Sequence, residues 1–141
     1  MNCQYKYNFY LNASHAIYMN GMKGERHPHT WQISLYIVNH KDTFTMFNEV
    51  ETIIEDYLGQ YQEQYINECS TFQTMNPTLE NIAHCFLEEL QQKLNPHNWV
   101  IFTIEISETP SRSYIISNVE NHKIQELERS NIAEEILRKN R

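Results

Sequence analysis

The sequence predicts an α+β fold: a four-stranded antiparallel sheet with two helices on one face (β-β-α-α-β-β) and a further helix at the C-terminus. Three observations carry this reading. Two N-terminal segments alternate apolar and polar residues; the spacing then changes to threes and fours; alternation returns at Trp99.

The first strand is expected over 5–16, where Tyr5, Tyr7, Phe9, Leu11, Ala13 and His15 share one face and Lys6, Asn8, Asn12 and Ser14 the other. Residues 19–28 hold two of the three glycines and read as a loop. Alternation resumes from His29 to Val38, with Trp31, Ile33, Leu35 and Ile37 on one side, so the two strands should pair antiparallel. Between Phe44 and Leu58 the apolar residues Phe47, Val50, Ile53, Ile54, Tyr57 and Leu58 trace the stripe of an amphipathic helix. A polar stretch leads to Asn76-Pro77, where Asn can cap and Pro can occupy the first turn of a second helix. Its stripe is Leu79, Ile82, Ala83, Phe86 and Leu90. Trp99 to Ser107 reads as a strand, with Val100, Phe102, Ile104 and Ile106 opposite Ile101, Thr103 and Glu105. After the Thr109-Pro110 turn, Tyr114 to Ser117 forms a short fourth strand, and Ile124 to Lys139 a charged helix with a thin stripe. Helices on one face of an antiparallel sheet give a two-layer architecture. The expected division is a fold domain over 1–118 and a helical extension over 119–141.

With 141 residues, one core of ordinary size is expected. A formal charge of −7 argues against nucleic acid as a partner, because phosphate binding needs clustered Lys and Arg. No apolar run approaches the roughly 20 residues that span a bilayer, and the polar N-terminus lacks a signal-peptide pattern. Cys3, Cys69 and Cys85 are odd in number and scattered, which argues against a disulfide framework. A soluble, cytoplasmic protein with no membrane partner is the expectation.

The histidines carry the chemistry. In His27-Pro28-His29 the two imidazoles lie two residues apart at the start of a strand, so both point to one side. His15 ends the preceding strand on its inward face. Three imidazoles converging from neighbouring strand ends suit a tetrahedral Zn2+ whose fourth position is open, the arrangement of a catalytic centre. His40, His84, His97 and His122 show no such spacing and read as surface or ordinary helix and loop residues.

Four motifs in order give the chain a family resemblance. Asn12-Ala-Ser-His15 resembles the strand that bears the first zinc ligand in the 6-pyruvoyl- and 6-carboxytetrahydropterin synthases. His27-Pro-His29-Thr-Trp31 is similar to their His-Gly-His-(Asn/Ser/Thr)-Tyr, and Asn76-Pro-Thr-Leu-Glu-Asn-Ile-Ala83 to their Pro-Thr-(Ala/Ser)-Glu-Asn helix start. Glu108-Thr109 matches their Glu-Thr after the third strand. The resemblance covers the chain to about Ser117. It implies a T-fold, His15, His27 and His29 as zinc ligands, and a homo-oligomer, a trimer or hexamer, with sites between subunits. It further implies a pterin substrate anchored by Glu108, with Glu80 and Thr78 lining the same pocket. The anchoring is sound chemistry, since a carboxylate accepts two parallel hydrogen bonds from an amino and ring N–H edge.

The resemblance fails at the catalytic machinery. Lys23 stands where family enzymes carry a cysteine, and Gln62 and Glu63 stand where they carry an Asp-His pair. Gln62 cannot titrate; Glu63 can serve as acid or base if burial raises its pKa. One branch of the family uses a glutamate three residues before the His pair, and Glu25, two residues before His27, is the second candidate base. The expected activity is a zinc-dependent lyase acting on the side chain of 7,8-dihydroneopterin, its triphosphate or a related pterin. The alternatives are a non-catalytic zinc- and pterin-binding module, or a T-fold enzyme with a changed substrate.

Overall fold

The computed structural model describes residues 3–39, 47–118, 134 and 136–140. Its main sheet has the order β1-β4-β5-β6, antiparallel throughout. β1 is Tyr5–His15, β4 His27–Asn39, β5 Trp99–Thr109 and β6 Arg112–Ser117. Two helices, α1 (Phe47–Gly59) and α2 (Leu79–Leu94), cover one face. The expected β-β-α-α-β-β order is therefore present. Residues 136–139 are helical, and the rest of the expected C-terminal helix lies outside the described residues, as do positions 44–46 of the first.

Register explains the core. Tyr7 faces Leu35, Leu11 faces Trp31 and Ala13 faces His29, so the inward residues of both strands meet in pairs beneath α2. Leu11, Trp31, Ile33, Leu35, Ile54, Phe86 and Leu90 are all fully buried there. The same phase carries on to the strand ends and sets His15 directly opposite His27.

Three details differ from the sequence reading. Residues 19–28 are not all loop: β2 (Tyr18–Met19) and β3 (Met22–Lys23) form a hairpin around Asn20-Gly21, both at positive φ, as an Asn-Gly hairpin turn requires. The cap of α2 is Thr78, whose Oγ1 accepts from Asn81 N at 3.1 Å; Asn76 is engaged elsewhere. In β5 a bulge shifts the phase, since Tyr36 pairs with Thr103 but Ile37 pairs with Ile101. Phe102 is the extra residue. Trp99 and Ile101 thus join Ile104 and Ile106 in the main core, while Val100 and Phe102 turn to the other face and pack with Val38, Ile136 and Leu137. Gln91, buried on α2, accepts from Ile101 N at 2.8 Å and donates to Trp99 O at 3.0 Å, satisfying backbone beside the bulge. The phase change matters for function, because it brings Glu108 to the same face as the histidines.

Candidate metal centre

β1 delivers His15, and the first and third residues of β4 deliver His27 and His29. One ligand nitrogen from each lies within 4.8 Å of the other two. Tetrahedral zinc with bonds of about 2.1 Å sets its donors roughly 3.4 Å apart, so small rotations of the rings close the set.

The tautomers follow from the partners. His15 Nδ1 lies 2.8 Å from the Pro77 carbonyl and His27 Nδ1 lies 3.0 Å from the Glu25 carbonyl. A carbonyl only accepts, so both Nδ1 atoms carry the proton and both Nε2 atoms present a lone pair. Backbone acceptors behind ligand imidazoles are the usual outer support of a metal site. His15 Nε2 and His29 Nε2 are buried with no hydrogen-bond partner. Leaving such a group unmatched costs about 1–3 kcal/mol, and a cation at the focus of the three rings would satisfy both. The donor set therefore fits zinc. Burial pushes the pKa of His15 below its ordinary value against the pull of the Pro77 hydrogen bond, and burial likewise lowers His29. Each is held neutral, the form that binds metal.

Glu108 faces this cluster. Its Oε1 accepts from Trp31 Nε1 at 3.3 Å and lies 3.8 Å from His15 Nε2, and its Oε2 lies 3.9 Å from His29 Nε2. Trp31 is fully buried, so it fixes the carboxylate's position. Among the expected site residues, the structure brings together His15, His27, His29 and Glu108. Thr78 borders them through Pro77, but its hydroxyl is occupied as a helix cap. Glu80 is exposed in the first turn of α2, where an acid complements the helix dipole. Glu25 is exposed and touches the centre only through its carbonyl. Glu63 is exposed at φ 60° and lines a separate cavity with Arg26 and His29.

The sequence reading missed the supports. Three side-chain amides grip the exposed edge of β1 and its continuation, each using both polar atoms. Gln62 accepts from Asn12 N and donates to Tyr10 O; Asn67 accepts from and donates to Ala16; Asn76 does the same to Tyr18. Distances run from 2.8 to 3.0 Å. A carboxamide is a peptide-group mimic, so these residues complete an edge that no strand covers. Gln62 thus has a structural use at a position where the family carries a titrating group. His84, read as an ordinary helix residue, bonds through Nε2 to the Tyr114 hydroxyl at 3.2 Å.

A four-stranded antiparallel sheet backed by two helices, with three histidines at the facing ends of its two longest strands, defines a T-fold protein with a candidate metal centre. Residues 4–119 match the family described as 6-pyruvoyl tetrahydropterin synthase, and the chain belongs to that family. Its fold is similar to that of the Caenorhabditis elegans 6-pyruvoyl tetrahydropterin synthase, with TM-score 0.70 and 16% identity over 83% of this chain and 96% of the other. The Plasmodium falciparum 6-pyruvoyl tetrahydropterin synthase matches with TM-score 0.60 and 15% identity, over 84% and 100%. An uncharacterized protein from Wolinella succinogenes matches with TM-score 0.64 and 13% identity, over 83% and 98%. At such identities the likeness is one of fold. No curated protein matches the chain. Among the described residues, no helix is long and apolar enough to cross a membrane.

Proposed function

We propose that the protein is a zinc-dependent lyase of the tetrahydropterin synthase type, acting on the side chain of 7,8-dihydroneopterin, its triphosphate or a related pterin. The observation that carries this reading is the set of three imidazoles with two orphaned, buried Nε2 atoms facing a fixed carboxylate. His15, His27 and His29 hold the ion. When bound, zinc supplies a Lewis acid that polarises a side-chain oxygen. Glu108, oriented by Trp31, accepts the amino and N–H edge of the pterin ring. Thr78 and Glu80 border the ring. Glu25 or Glu63 moves the proton that side-chain cleavage releases. A homo-oligomer, trimer or hexamer, completes the site, as expected for a family whose sites lie between subunits.

A second reading is favoured by one observation. Gln62 spends its amide on the β1 edge and Lys23 replaces a cysteine, so neither position retains a titrating group of the family kind. That reading is a zinc- and pterin-binding module without turnover. The test is incubation of zinc-loaded protein with 7,8-dihydroneopterin and with its triphosphate, products being identified by mass spectrometry. Turnover that is lost in His27→Ala and in either Glu25→Gln or Glu63→Gln supports the lyase and names its base. Ring binding that depends on Glu108, without turnover, selects the module. Neither turnover nor ring binding rejects both.

A further inference from the structure

Beyond the triad, the junction of the β3–β4 loop with the β1 edge is built unlike an ordinary surface. The segment after α1 lies along β1 there: Ser14 N donates to Gln64 O at 3.0 Å, Glu63 N to Asn12 O at 2.6 Å, and Tyr65 forms a parallel bridge with Ser14. Arg26 is held against this junction from two sides. Its Nε donates to Ser14 Oγ at 2.9 Å, and its guanidinium lies 4.3 Å from the centre of the Tyr65 ring. Lys23 Nζ lies 5.2 Å from the same ring centre. Two cations on one aromatic ring is a costly arrangement in a chain of net charge −7 unless an anion joins them. Among the described residues, no carboxylate lies within salt-bridge distance of either cation, and the two terminal guanidinium nitrogens meet no protein acceptor.

Arg26 opens onto a cavity of about 670 Å3 whose wall is polar, with Asn12, Ser14, Thr30 and Gln64 contributing hydroxyl and amide groups. That size is within the range of small-molecule sites, roughly 300–1,000 Å3. Even-numbered residues of β1 and β4 form this wall, so it lies on the sheet face opposite the histidine rings, with His29 shared at the boundary. Glu63 is the acid on the wall, kept there in a left-handed conformation that costs an L residue about 1–2 kcal/mol.

We propose that this cavity binds a phosphate monoester of a polyhydroxylated small molecule. A phosphate monoester carries about −1.5 to −2 charges, which matches two cations better than a single carboxylate does. With Nε engaged by Ser14, the free end of the guanidinium offers two parallel donors to phosphate oxygens. The hydroxyl and amide wall suits a polyol, and Glu63 accepts one of its hydroxyls. The assignment is independent of the metal reading, because Arg26 and Lys23 are not ligands and their cavity lies on the opposite face.

Calorimetric titration of the metal-free, full-length protein with inorganic tripolyphosphate and with ribose 5-phosphate tests it. Both bind at one per chain. Arg26→Ala weakens both by about tenfold or more, the loss of a bidentate charged contact; Arg26→Lys restores only part, and Tyr65→Phe binds like the parent. Glu63→Gln weakens ribose 5-phosphate and spares tripolyphosphate. His27→Ala binds both as the parent does, which separates this site from the metal centre. Circular dichroism confirms that each variant is folded, and Lys23→Gln, on an exposed hairpin, provides a second test of the charge requirement with a several-fold loss. Absence of binding to the parent overturns the proposal. So does undiminished binding by folded Arg26→Ala and Lys23→Gln, or a loss in His27→Ala equal to that in Arg26→Ala.

Discussion

At His15 two requirements meet: the ring is fully buried, and it must keep a lone pair in front. The Pro77 carbonyl resolves this by taking the Nδ1 proton, and burial keeps the ring neutral. His27 is treated the same way by the Glu25 carbonyl, two residues back along the chain. Such a centre should be tight enough to stabilise the fold measurably. Zinc at a hundred times its Kd adds about 2.7 kcal/mol, which for a chain of this length is roughly 5–10 °C in Tm. Differential scanning fluorimetry with and without zinc should show that rise in the parent and none in His27→Ala. Glu108→Gln keeps the metal but loses one acceptor for the ring edge; pterin affinity should fall by about tenfold to a hundredfold, as for a charge-assisted hydrogen bond of about 1.5–3 kcal/mol, while zinc stoichiometry measured by atomic absorption stays at one. A fall in both would show that the carboxylate belongs to the metal instead.

Elements position these residues through their edges as much as through the core. β1 is an edge strand, and the end that carries His15 would fray if Ala16 and Tyr18 lost their partners. Asn67 and Asn76 each supply a donor and an acceptor there. Asn76→Ala should cost about 1–3 kcal/mol of stability and, because Asn76 adjoins the Pro77 carbonyl, about tenfold to a hundredfold in zinc affinity. Competition with a chromophoric chelator reads the affinity and urea unfolding the stability; an unchanged affinity beside the stability loss would confine Asn76 to a structural role. The triad itself was legible in sequence because strand period alone dictates that His27 and His29 share a face, and hydrophobic alternation from Tyr5 runs unbroken to His15. The amide grips were not legible, since Gln62, Asn67 and Asn76 sit in irregular chain where no period says what a polar side chain meets. The β5 bulge was hidden for a related reason. Continuous apolar residues from Val100 to Phe102 suit either face, and only packing from both sides selects the phase that aims Glu108 at the histidines.

The molecule as a whole joins two regions that differ in what they tolerate. The seam between the helices buries titrating groups: Tyr57 donates to Glu89, burial and then Glu89 push the Cys85 thiol up to about 12, and burial pushes Tyr61 to about 12. Cys69 is also raised by burial. In each case the folded chain keeps a proton that the unfolded chain releases at lower pH, so the stabilisation is complete below the unfolded values, near 9 for the thiols, and is lost as pH rises through the folded ones. The urea midpoint should be flat up to about pH 8.5 and fall progressively from pH 9 to 12; in a Cys69→Ala/Cys85→Ala double variant the fall should begin nearer 10, where the tyrosines start. A midpoint insensitive to pH over that interval would mean these groups are solvated in solution.

The small second core lies at the other end of the sheet, where Ile136 and Leu137 cover Val38, Val100 and Phe102. Val38 is eleven residues along β4 from His27, a distance of about 36 Å at the usual strand rise of about 3.3 Å. Effects at two sites so far apart with no shared partner should add. Leu137→Ala should therefore lower stability by about 2–4 kcal/mol, the usual range for a buried leucine, with no change in zinc affinity or in the thermal shift on zinc addition. Combined with His27→Ala, the two losses should sum to within about 0.5 kcal/mol. If instead Leu137→Ala weakens zinc binding, the sheet transmits strain along its whole length, and the C-terminal residues set the geometry of the metal centre rather than closing a distant end.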